Sequence, residues 1–182
     1  MRVAIVPGTL ALLPEYASTV DPIPELRAAV RAAVAWLLED GDATVLAASP
    51  GARRVAEHLL GRSPDVGRSP DVGRSPDVEP VETPPNLLVV ANGSATRTEK
   101  APGHFDDRAA AFDAMIGKAF AAGDPAALVD LDLDLADELW ALPDADVLRS
   151  LAGRVPPAEE VHVDYDDAPY GVQYWVVRWQ CA

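Results

Sequence analysis

The chain has 182 residues, of which 29 are acidic and 15 basic, for a formal net charge of −14 and a sequence pI near 4.4. So acidic a surface repels phosphate backbones and anionic lipid, so neither a nucleic-acid nor a membrane partner is expected. A hydrophobic content of 49 % supports a buried core and excludes disorder throughout. Cys181 is the only cysteine, which excludes an internal disulfide framework and a Cys-based zinc cluster. No run reaches the ~18 apolar residues of a membrane helix. The chain also opens without the basic start and cleavage site of a secretory signal, so one cytoplasmic domain is the expectation.

Val3 to Val6 is a short apolar run stopped by Pro7-Gly8, which predicts a buried strand. Pro22 and Pro24 open a helix in which Leu26, Val30, Ala33, Val34 and Leu37 recur at helical spacing until Asp40-Gly41. Thr44 to Ala48 predicts a second buried strand. Ser49-Pro50 then starts a helix through Leu60, with Ser49 as N-cap and Pro50 at the first helical position. Strand, helix, strand, helix favours a parallel sheet covered by helices.

Residues 61–78 break this rhythm with Gly-Arg-Ser-Pro-Asp-Val, present three times without change. A six-residue period is too short for a helical solenoid and lacks the Gly-Asp pattern of a calcium β-roll. It reads as a duplication in a surface loop, where added length costs little closure entropy, and a mobile loop over 61–85 is expected.

Asn86 to Ala91 predicts the third strand, delivering Asn92 to Lys100 as a polar loop. Asp106 to Ala122 predicts a helix with Phe112, Ile116 and Phe120 on one face. Pro125 opens another, with Leu128, Leu131, Leu135, Leu139 and Leu142 spaced by three and four. Ala145 to Leu151 is a further short helix. Val161 to Tyr165 and Val172 to Trp179 form a closing hairpin around Asp166 to Gly171, expected to pack its aromatic side chains deeply. The whole predicts an α/β fold, a mostly parallel central sheet with helices on both faces and a C-terminal β-hairpin.

The loop after the third strand is the first candidate for binding, because parallel sheets collect ligands beyond the carboxyl ends of their strands. Asn92, Ser94, Thr96, Arg97 and Lys100 there offer hydrogen bonds and cations to an anion. The spacing fits neither a P-loop nor a nucleophile elbow. His58, His104 and His162 share no ligand spacing with one another, and His104, beside the polar loop, is the best placed for chemistry. Asp130, Asp132, Asp134, Asp137 and Glu138 lack the glycine and terminal acid of an EF-hand, so they read as a solvated helix face. Asp164, Asp166 and Asp167 cluster at the hairpin turn, where turn chemistry accounts for acidic residues.

Two long stretches carry a family resemblance: Asn92-Gly93-Ser94-Ala95-Thr96-Arg97-Thr98-Glu99-Lys100-Ala101-Pro102-Gly103 and Asp164-Tyr165-Asp166-Asp167-Ala168-Pro169-Tyr170-Gly171-Val172. With Pro7 to Glu15, they resemble proteins of high-GC bacteria grouped with the B-subunit family of the class III extradiol ring-cleavage dioxygenases. The resemblance spans most of the chain outside the repeats. It implies a non-haem Fe(II) held by two histidines and a carboxylate, with open positions for catechol and O₂. The family's first ligand follows strand one in Pro-His-Pro-Pro, where this chain has Pro7-Gly8-Thr9-Leu10. The second follows Ser-Pro, where Gly51 stands. The acid–base histidine follows Asp-x-Ser, where Ala95 stands.

These replacements imply a dioxygenase-like fold without ring cleavage and with no cofactor. The expected role is binding of a small ligand or partner in the residual cleft, with Arg97, Lys100 and His104 as contacts and Ser94 and Thr96 orienting it. Asp166 and Tyr170 would close the cleft from the hairpin. The alternatives are a relocated metal using His104 with Asp106 or Asp166, and a structural protein whose loops serve folding or homo-oligomer formation.

Overall fold

The computed structural model describes residues 1–62 and 86–182, so all but the first two residues of the expected repeat loop lie outside the described residues. Five strands, β1 (Arg2–Val6), β2 (Ala43–Ala47), β3 (Asn86–Val90), β4 (Ala158–Asp167) and β5 (Tyr174–Cys181), form one sheet in the order β2-β3-β1-β5-β4. The helices are α1 (Pro24–Leu38), α2 (Pro50–Leu59), α3 (Ala109–Ala122), α4 (Leu133–Glu138) and α5 (Asp144–Arg149).

The sheet is mixed, which corrects the mostly parallel one expected. β3 runs parallel to both β1 and β2, whereas β5 is antiparallel to both β1 and β4. A short turn between β4 and β5 allows only antiparallel pairing, and β5 then takes the free edge of β1. Val3 lies opposite Leu87 on one side and Trp179 on the other.

Helices cover both faces, so the central strands are apolar without alternation. Ala4, Val6, Leu88 and Val90 pack with α1 and α2. Val3, Ile5, Leu87 and Val89 pack with α3 and the helical segments after it. On that second face Phe120 meets Trp175 and Trp179 edge-on, with ring centroids 5.3 and 6.0 Å away. The Trp179 indole N–H donates to the Phe120 carbonyl at 2.9 Å, which satisfies its one polar atom within the core.

Several local expectations hold. Ser49 caps α2 by accepting the Ala52 N–H, with Pro50 as its first residue, and Phe112, Ile116 and Phe120 share the buried face of α3. Others change. β2 is an edge strand with Thr44 exposed, rather than buried throughout. Asp106 takes the Arg108 N–H in a turn, so α3 begins only at Ala109. The long helix after Pro125 is instead a 3-10 turn (Pro125–Leu128) followed by α4. Asp132 accepts the Leu135 N–H and so caps a new helix, and Trp140 at φ 56° turns the chain after it. Tyr170 is half exposed, unlike Tyr174, Trp175 and Trp179, so the hairpin aromatics are not uniformly deep. β4 is longer than expected and mostly exposed, and charged side chains along it discourage edge-to-edge pairing.

Candidate functional site

Because β1, β2 and β3 are parallel, the segments that leave them gather at one edge of the sheet: Pro7-Gly8, Ser49-Pro50-Gly51 and Asn92 to Ala95. The chain leaves β1 for the α1 face and leaves β3 for the α3 face. The crevice between their ends is therefore the switch point at which such sheets bind ligands. In this protein side chains stitch it closed. The Gly8 N–H donates to Asn92 Oδ1 at 3.0 Å. The Asn92 main-chain and side-chain N–H groups both donate to Asp144 Oδ2, each at 2.9 Å. Burial pushes the Asp144 carboxyl above its ordinary range, against the opposing pull of these two donors.

The Fe(II) implied by the resemblance does not fit this edge. A Cβ at Gly8 would meet Ala52 Cβ and Val90 Cγ1 at 3.3 Å, and the Gly8 N–H is committed to Asn92. A Cβ at Gly51 would meet Leu10 at 3.7 Å, and Ala95 is buried with its N–H bonded to the Leu139 carbonyl. None of the three carries a donor atom on its side chain. Of the acids named with His104 for a relocated metal, Asp106 has both oxygens bonded to Arg108, which holds its carboxyl down to about 2. Among the described residues, no three His, Cys, Asp or Glu side chains group as metal donors.

A second polar centre lies on the α3 face. Asp113, on α3, is 2 % exposed. It accepts the Ser94 N–H at 2.9 Å and the Ser94 hydroxyl at 2.6 Å, while an Arg97 guanidinium nitrogen lies 3.3 Å away. Burial raises its carboxyl above the ordinary value, although Ser94 and Arg97 both pull it down. Gly93 makes this approach possible, since a Cβ there would stand 2.7 Å from Asp113 Oδ1 and 2.6 Å from Trp175. The segment is fixed by main-chain bonds to the end of the hairpin: Gly93 N–H to Gln173 O, Gln173 N–H to Ser94 O, and Arg97 N–H to Gly171 O. At Gly171 φ is +72°, and a Cβ would stand 2.5 Å from Thr98 Oγ1, so glycine is required.

Beside this centre opens a cleft of about 420 Å³, polar at Arg97, Asp113, Lys118, Asp166 and Gln173 and floored by small side chains of α3. Gln173 is buried and donates to Asp166 Oδ1 at 2.7 Å, fixing that carboxylate on the hairpin side. The cleft thus carries two cations and an oriented acceptor.

Of the sequence-predicted residues, Arg97 and Asp166 converge here. Ser94 and Thr96 are 0 % and 2 % exposed and do not line the cleft; Ser94 supports it through Asp113. Asn92 belongs to the stitched crevice. Lys100 and His104 are exposed and do not line the cleft. The Tyr170 hydroxyl donates to the Pro22 carbonyl, on the approach to α1, at 2.9 Å.

Asp113, Lys118, Gln173 and Asp144 were not anticipated. Asp113 did leave a signal, since with Ala109, Phe112, Ile116 and Phe120 it occupies the three-and-four stripe that faces the core. An acid on that stripe marks a buried, hydrogen-bonded carboxylate. Comparison with known proteins finds no matching family model, no matching curated protein and no matching solved structure.

Proposed function

We propose that this chain is a scaffold related to the B-subunit family of extradiol dioxygenases, without ring-cleavage chemistry, that binds a small polar ligand between α3 and the hairpin. The carrying observation is the contrast between the two ends of the site. The sheet-edge crevice offers Gly8, Gly51 and Ala95 and is closed by the Gly8–Asn92–Asp144 chain. The neighbouring cleft stays open and holds Arg97, Lys118 and Asp166. Fold alone does not carry catalysis, so the function is argued from the side chains at the site.

Asp113 holds one guanidinium nitrogen of Arg97, whose side chain stays 28 % exposed. A carboxylate on the ligand is seated by Arg97 with Lys118, and a hydroxyl or amine is oriented by Asp166. Amino acids and hydroxy acids of a few carbons have this pattern and suit the volume.

Calorimetry with a panel of small amino and hydroxy acids tests the reading. Saturable binding that is lost in Lys118→Gln and in Asp166→Asn is expected. Catechol-dependent O₂ uptake after anaerobic loading with Fe(II) would overturn it, as would a panel that gives no heat at millimolar concentration.

A further inference from the structure

On the opposite face of the sheet, a separate cavity of about 450 Å³ lies between the loop after β1 and helices α1 and α2. Its apolar wall is Leu12, Leu13 and Pro14, and its polar groups include Arg27, Arg31 and His58. A second cavity of about 370 Å³ continues it, sharing Leu13, Pro14 and His58 and adding Arg54 and Arg62. We propose that this continuous groove is a binding site for a small organic phosphate, with the phosphate between Arg31 and His58 and the organic part against Leu12 to Pro14.

The charge distribution is the first support. The chain carries −14 overall, yet four arginines line this groove against Asp21, Glu15 and Glu57. Two of those acids are already neutralised. Asp21 is held by Arg27 at 2.8 Å through Nε and 3.2 Å through Nη2, which keeps its carboxyl below the ordinary range. Glu15 is paired with Arg54. Among the described residues, Arg31 and His58 have no side-chain hydrogen bond or ion pair, and both line the groove.

Geometry is the second. Arg27 is not free to receive a ligand, because it also donates to the Leu12 and Ala11 carbonyls at 3.2 and 2.7 Å. Those bonds fix the loop after β1 against α1 and give the groove a set shape. Arg31 stands one turn along α1 from Arg27. His58 lies in the last turn of α2, a helix end where basic side chains are favoured. Two donors from different helices suit a dianion with several acceptor oxygens, and cavities of about 450 and 370 Å³ hold more than a phosphate alone.

The test uses the full chain with three probes: ribose 5-phosphate, ribose and inorganic phosphate, followed by calorimetry and thermal shift. Ribose 5-phosphate is expected to bind, ribose to give no signal, and inorganic phosphate to bind about tenfold more weakly. Arg31→Gln and His58→Gln lie on exposed positions and are expected each to weaken the ester about tenfold, with unchanged far-UV spectra. Lys118→Gln, in the other cleft, should leave this binding intact. Equal affinity for ribose or for inorganic phosphate would overturn the assignment. So would ester binding that survives both Arg31→Gln and His58→Gln, or no ester binding at millimolar concentration.

Discussion

Asp144 and Asn92, 52 positions apart, meet through a single carboxylate oxygen that accepts two N–H groups at 2.9 Å each. That contact ties the end of β3 to the start of α5 and, through Gly8, to the end of β1. Asp144→Ala leaves both Asn92 donors without their acceptor in a mostly buried place. A loss of about 2–3 kcal/mol is expected, against about 1 kcal/mol for Asp144→Asn, which keeps a carbonyl oxygen. Urea unfolding at neutral pH measures both.

Asp113 and Asp106 should respond to pH in opposite directions. Burial raises the folded Asp113 carboxyl above its unfolded value of 3.8, so its contribution is fully present below that pH and fades as pH rises through the folded value. Asp106 is lowered from 3.8 to about 2 by Arg108, so its contribution is present above 3.8 and is lost as pH falls towards 2. Denaturation curves collected from pH 2 to 7 are expected to flatten above 3.8 in Asp113→Asn and below 3.8 in Asp106→Asn. Carboxyl NMR titration should place the two groups on opposite sides of 3.8.

Two glycines should part company when replaced by alanine. At Gly93 the added carbon would press within 2.6 Å of Trp175 and 2.8 Å of Gln173 Cβ, and overpacking of this kind costs about 1–3 kcal/mol. At Gly51, inside the first turn of α2, the nearest atom is 3.7 Å away, so Gly51→Ala should stabilise by about 0.4–1 kcal/mol. Thermal melts of the two variants decide it by sign.

Phe120 supports both buried tryptophans. Phe120→Ala removes two edge-on ring contacts and opens a cavity beneath the sheet, for an expected loss of about 3–5 kcal/mol. Near-UV circular dichroism should lose Trp175 and Trp179 fine structure even where the variant stays folded.

The stitched crevice shows how far local pattern reaches. The strands at Val3 to Val6 and Leu87 to Val90 were legible because both faces of each are buried, which leaves an unbroken apolar run. The cap at Ser49 was legible because capping is a contact over three residues. The helix expected after Pro125 was not, since its leucine spacing fits a helix and two shorter helical pieces equally well, and Asp132 decides between them by bonding the backbone. At the site, Arg97 and Asp166 stood out by type and place. Lys118 and Gln173 gave no cue, because a surface lysine and a glutamine before a strand are ordinary until the hairpin brings them together.

The order of residues alone determined that this chain builds a helix-covered sheet and that Gly8, Gly51 and Ala95 offer no donors at its edge, because covalent identity and short-range periodicity are written in the chain. Only the tertiary structure decided that β5 runs against β1 and that Asn92 closes the crevice on Asp144. It also brought Arg97 and Asp166 to one cleft, with a buried Asp113 bonded to Arg97. Those relationships join segments tens of residues apart, and their energies come from burial and hydrogen-bond pairing that exist only once the segments have met.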